Sequence, residues 1–110
     1  MGRQPIASVA ATEEVLERIG RHIATARMRR GWRQEDLAEK AGIHANTLRK
    51  VESGAPGTAI GAYAGALWAL GLLDQLTEVA RPDRDAEGET LAAARLGERV
   101  RRSVSYDDDF

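Results

Sequence analysis

Apolar residues recur along the chain at the three-to-four-residue spacing of amphipathic helices, in short stretches separated by glycine-containing turns. Val15, Ile19, Ile23 and Ala26 form the first stripe. Thr12 precedes it as an N-cap, and Glu13 and Glu14 sit in the first turn, where the helix dipole favours acids. A first helix is predicted over about residues 13–30, stopping at Gly31. A second, over about 34–41, presents Leu37, Ala38 and Ala41 on one side. It ends at Gly42, the residue type that most readily takes the left-handed C-cap conformation. A third, over about 45–53, turns Leu48 and Val51 inward and Ala45, Asn46, Arg49 and Lys50 outward.

Gly54-Ala55-Pro56-Gly57 then reads as a turn and Thr58 as the N-cap of a fourth helix with the stripe Ile60, Tyr63, Leu67 and Leu70. A fifth helix is expected after Gly71, carrying Leu72, Leu73, Leu76 and Val79. After Arg81-Pro82 the chain turns polar, with a further helix expected within residues 83–94 and a tail from Arg95 to Phe110. The expected architecture is all-α. A five-helix domain over residues 12–80 lies between a flexible N-terminal tail, residues 1–11, and a partly helical C-terminal extension, residues 81–110.

Composition narrows the function classes. The 110 residues suffice for one compact core, with 43% hydrophobic and 30% charged residues, as in an ordinary soluble domain. No apolar run approaches the roughly 18–20 residues of a membrane span, and the Ile6–Ala11 stretch is short for a signal-peptide core. With no cysteines, disulfides and thiolate metal sites are excluded and a cytoplasmic location is expected. His22 and His44 lack ligand or catalytic companions, and no Gly-rich phosphate loop follows a strand. We therefore expect a non-enzyme with no cofactor, no metal and no catalytic residue.

The net charge of −1 conceals an asymmetry. Residues 18–50 carry nine Arg and Lys against three acids, whereas residues 51–110 carry eleven acids against six bases. The basic excess coincides with the Gly42 corner. Two short helices meeting at a tight turn, the second with a polar and basic outer face, match the helix-turn-helix arrangement that lays its second helix in the DNA major groove. In that setting the basic run Arg27, Arg29, Arg30 and Arg33 reads as a DNA contact instead of a solvated helix end.

The stretch "RMRRGWRQEDLAEKAGIHANTLRKVESG" resembles the helix-turn-helix of the Xre family, which includes phage repressors and many bacterial regulators. The resemblance covers roughly residues 19–73 and rests on Arg27, Gln34 through Ala38, Ala41-Gly42-Ile43, Leu48, Glu52 and Leu70-Gly71. It implies a phage-repressor-like fold. Gln34 would bind a phosphate with its amide and the helix N-terminus. His44, Ala45, Asn46 and Lys50 would face base edges, with Asn46 suited to adenine, Lys50 to guanine and Ala45 to a thymine methyl. Arg33, Thr47, Arg49 and Ser53 would contact phosphates, and Arg27 and Glu52 would form a structural ion pair. Arg33 and His44 stand where the family usually has Ser, Thr or Asn caps, which removes up to about 1 kcal/mol of capping at each.

The segment from Leu72 to Arg102 more weakly resembles HipB-like antitoxins, through Asp85, Gly88, Arg95-Leu96 and Arg99-Val100-Arg101, with Gly97 in place of a proline. That implies a HipA-like kinase toxin as partner and repression of the chain's own operon. A homodimer on a palindromic operator is expected. Trp68 lies about 100° from the stripe of the fourth helix and, with Leu72 and Leu73, makes a plausible interface. The extension after residue 81 fits a linker, a dimer-stabilising arm containing a short strand in "RRSVSYDDDF", or a kinase-binding element. A free-standing regulator and a protein-interaction adaptor on the same fold stand as alternatives.

Overall fold

A computed structural model describes the backbone of residues 6–108 and the side chains of residues 9–104. All of the regular structure in it is helical: α1 Ile6–Arg29, α2 Gln34–Ala41, α3 Ala45–Ser53, α4 Ile60–Ala69, short 3-10 helices at Leu73–Glu78 and Pro82–Arg84, and α5 Ala86–Asp108. The chain divides into two compact units, Met1–Leu76 and Thr77–Phe110. The first holds the core, in which Ile23, Leu37, Leu48 and Val51 are fully buried and Ala26, Ala38, Ala62, Tyr63, Ala66, Leu67 and Leu70 close around them.

The α2–α3 corner follows from two local choices. Gly42 adopts φ +70°, ψ 30°, a left-handed conformation that costs a side-chain-bearing residue roughly 1–2 kcal/mol. With it in place, the Gly42 N–H donates to the Glu39 carbonyl (3.2 Å) and the Ile43 N–H to the Ala38 carbonyl (3.0 Å). These bonds satisfy the last carbonyls of α2 and turn the chain sharply into α3. Gly54 ends α3 in the same way, at φ +70°.

Several expectations about the first helix are corrected. It starts at Ile6, so Thr12 lies inside it and residues 6–11 are helical; residues 1–5 of the expected tail lie outside the described residues. Val15 and Ile19 stay 51% and 36% exposed. Ile23 and Ala26 of the expected stripe are buried, but ahead of them the inward face runs through Leu16 and Gly20, because α3 closes directly onto Gly20. A Cβ at Gly20 would overlap the backbone of Val51 and Glu52, so the absence of a side chain there sets the α1–α3 distance.

Downstream, Thr58 does not cap α4: its hydroxyl donates to the Ala55 carbonyl (3.0 Å), and Ala59 takes the N-cap position. Ile60, expected in the buried stripe, is 73% exposed at the first residue of α4. The fifth helix of the domain is a 3-10 helix, with Leu72 and Leu76 packed against the core and Val79 exposed beyond it. The residues expected as a C-terminal tail continue α5 to Asp108, and no strand occurs among the described residues. No helix among them is long and apolar enough to cross a membrane.

Candidate nucleic-acid interface

Helix α3 is short and two-sided. At about 100° per residue, Asn46, Arg49, Lys50 and Ser53 fall within one arc of roughly 100°, and Leu48 and Val51 point the opposite way into the core. Asn46, Arg49, Lys50 and Ser53 are all exposed, as is His44, the N-cap, whose carbonyl accepts the first intrahelical bond from the Leu48 N–H (3.1 Å). Thr47 is half-buried at the edge of this face. Ala45 is half-buried as well and packs against the core, so only part of its methyl group faces outward.

The face is locked from behind. Arg27 of α1 meets Glu52 of α3 in a bidentate pair, Nε to Oε2 at 2.7 Å and Nη2 to Oε1 at 3.0 Å, with 12% and 6% of the side chains exposed. Two further bonds saturate this network. Arg27 Nη1 donates to the Trp32 carbonyl (2.8 Å), and Gln34 Nε2 donates to Glu52 Oε1 (3.0 Å). Three segments, the end of α1, the α1–α2 loop and the start of α2, are thereby tied to the end of α3. Gln34 thus sits in this network with one amide donor committed inside the protein.

Where the sequence offers no cap, α2 finds one elsewhere. Arg33 cannot accept a bond from the helix N-terminus, but its own N–H donates to Asp36 Oδ2 (2.8 Å), half of a capping box. Its guanidinium stays exposed 3.7 Å from the same carboxylate, and Arg49 lies 3.7 Å from Glu35 across the α2–α3 corner. Both pairs are solvated and weak, about 0–1 kcal/mol, so either arginine is readily released to an anion. The Ser53 hydroxyl donates to the Lys50 carbonyl (3.0 Å).

The basic run divides by function. Arg30, read from sequence as a DNA contact, donates from Nη1 to the Ala26 carbonyl (2.8 Å) and from Nη2 to the Leu70 carbonyl (2.9 Å). It therefore caps the end of α4 from α1. Arg29 and Arg33 remain outward. The structural role of Arg30 had no signal in the spacing, since its acceptor lies forty residues away. Lys40 is also held, with Nζ 4.8 Å from the centroid of the Trp32 ring. Among the described residues no group of three or more His, Cys, Asp and Glu could hold a metal ion.

A family model described as a helix-turn-helix domain matches residues 18–86. The chain belongs to the helix-turn-helix domain family. The match takes in α2, the Gly42 corner, α3 and all the ion-pair residues behind them. No curated protein and no solved structure matches the chain. As a helix-turn-helix protein the chain falls in the class of DNA-binding regulators, with α3 in the position of the recognition helix.

Proposed function

We propose that this helix-turn-helix protein is a sequence-specific, Xre-type transcriptional repressor that binds a palindromic operator as a homodimer. The observation that carries the reading is the outer arc of α3: four exposed polar side chains on a helix whose other face is core and whose far end is pinned by a buried ion pair. Asn46 and Lys50 reach adenine and guanine edges, His44 flanks them, and the exposed part of Ala45 touches a thymine methyl. Arg33, Thr47, Arg49 and Ser53 hold phosphates. Gln34 adds the free half of its amide and the N-terminus of α2.

The dimer reading is supported by α4, whose exposed side carries Ile60, Gly61 and Trp68 and no charged residue anywhere along the helix. A helix apolar all round is ordinarily covered, and Trp68, 63% exposed beside Leu73, is the anchor we assign to the partner protomer, with Leu72 as its base in the core. Two copies would read half-sites about one helical turn apart. The resemblance of residues 72–102 to HipB-like chains supports a narrower version, an autoregulatory antitoxin of a HipA-like kinase. Its test is whether a kinase-like gene adjoins this one and whether its product co-purifies with the chain.

The repressor reading is tested by fluorescence-anisotropy titration against DNA from upstream of the chain's own gene and a shuffled control, at two salt concentrations. Preference for the upstream DNA that persists at the higher salt is expected, because the sequence-independent phosphate contribution fades steeply with salt. Equal binding that salt abolishes on both would replace it with the interaction-adaptor reading.

A further inference from the structure

Three arginines of α5 share one face of the helix. Arg95, Arg99 and Arg102 follow one another at four and three residues, which at about 100° per residue gathers them within roughly 60° of the helix surface. At 1.5 Å rise per residue the row is about 10 Å long. All three are exposed, and among the described residues none of them makes an ion pair or a hydrogen bond. Some arginines elsewhere do pair with nearby acids: Arg18 with Glu14 at 3.3 Å, Arg81 with Glu78 at 2.6 Å and with Asp83 at 2.7 Å. Glu98 precedes Arg102 by four residues on the edge of the row, and the pair is still not made.

We propose that the Arg95–Arg99–Arg102 face of α5 is a second, sequence-independent nucleic-acid contact that grips the phosphate backbone of DNA. The proposal rests on the DNA-binding reading above and adds a site outside α3. Guanidinium groups match phosphates and carboxylates alike, so the setting has to decide between them. A helix-turn-helix domain already brings this chain to DNA, whose strands present a continuous run of phosphates, and that makes the phosphate backbone the polyanion an unpaired arginine row would meet. The first turns of α5 carry Glu87 and Glu89, following Asp83 and Asp85, and repel phosphate. With Asp107 and Asp108 ending the helix, contact is thus confined to the stretch from Arg95 to Arg102.

The test measures the affinity of the intact chain for its upstream DNA and for the shuffled control across a series of salt concentrations. It compares the unmodified chain with a triple variant Arg95→Gln, Arg99→Gln, Arg102→Gln, and with the corresponding triple Lys variant. The Gln variant is expected to lower the slope of log affinity against log salt on both DNAs by about two to three per protomer, and so by about five for a bound dimer, at about 0.9 per phosphate contact, and to leave the ratio of the two affinities unchanged. The Lys variant keeps the slope, and circular dichroism shows the same helix content in all three. An unchanged slope for the Gln variant overturns the proposal. A changed sedimentation coefficient with that unchanged slope would assign the row to contact between copies of the chain instead. Failure of the repressor reading is separate: the unmodified chain then prefers neither DNA, while the slope difference persists.

Discussion

Removing Arg27 alone would strand Glu52, whose carboxylate is 6% exposed and takes both of its strongest bonds from that guanidinium. Breaking a buried pair from one side typically costs about 3–5 kcal/mol, far more than the pair itself is worth. Arg27→Ala is therefore expected to lower the Tm by many degrees, read by thermal unfolding, and to loosen α3 along with the fold. An unchanged Tm would contradict the structural role of the pair. Tyr63 presents the opposite case. Its hydroxyl is buried with no hydrogen-bond partner among the described residues, and desolvation pushes its pKa up from the ordinary value of 10.0. An unpaired buried polar group costs about 1–3 kcal/mol, so Tyr63→Phe should leave stability unchanged or raise it in denaturant unfolding. A clear loss would mean that the hydroxyl has a bonding partner.

At the scale of elements, three glycines act by different means and should respond differently to alanine. Gly20 has ordinary helical geometry, where alanine would normally gain about 0.5–1 kcal/mol, but its Cβ would overlap the backbone of Val51 and Glu52. The overlap dominates, and Gly20→Ala is expected to destabilise strongly by pushing α1 off α3. Gly42 has φ +70° and open space around its missing Cβ, so Gly42→Ala meets only conformational strain, roughly 1–2 kcal/mol. Gly54 combines the same φ with overlap on the backbone of Leu16 and Glu17, and its alanine variant should be much the worse of the two. Chemical denaturation of the three variants checks the order; equal losses at Gly42 and Gly54 would contradict the packing of α1 on the end of α3.

These elements also explain what the sequence made legible. The corner and the two faces of α3 could be read because Leu48, Val51 and the basic positions differ in chemistry and Gly42 marks the turn. The inward face of α1 could be read at Ile23 and Ala26, both in the core, but not in the turns before them, because close approach at Gly20 leaves no hydrophobic mark and Val15 and Ile19 supplied a false one. Polar, arginine-rich composition hid the continuation of α5 through residues read as a tail. Arg30 looked like any other member of a basic run, since nothing local betrays an acceptor at Leu70.

For the molecule as a whole, the apolar α4 and its exposed Trp68 lead to a prediction about assembly. If Trp68 anchors a two-fold interface, Trp68→Glu should convert the dimer to a monomer in analytical ultracentrifugation at micromolar concentration and weaken operator binding, without lowering helix content. A monomeric unmodified chain at that concentration would remove the interface. Readout of DNA sequence by the outer arc of α3 is checked by comparing Asn46→Ala with the unmodified chain on upstream and shuffled DNA at fixed salt. A loss of about 1–3 kcal/mol in discrimination between the two DNAs is expected, with an unchanged Tm and little change on the shuffled control. Equal weakening on both DNAs, or no weakening on either, would contradict it.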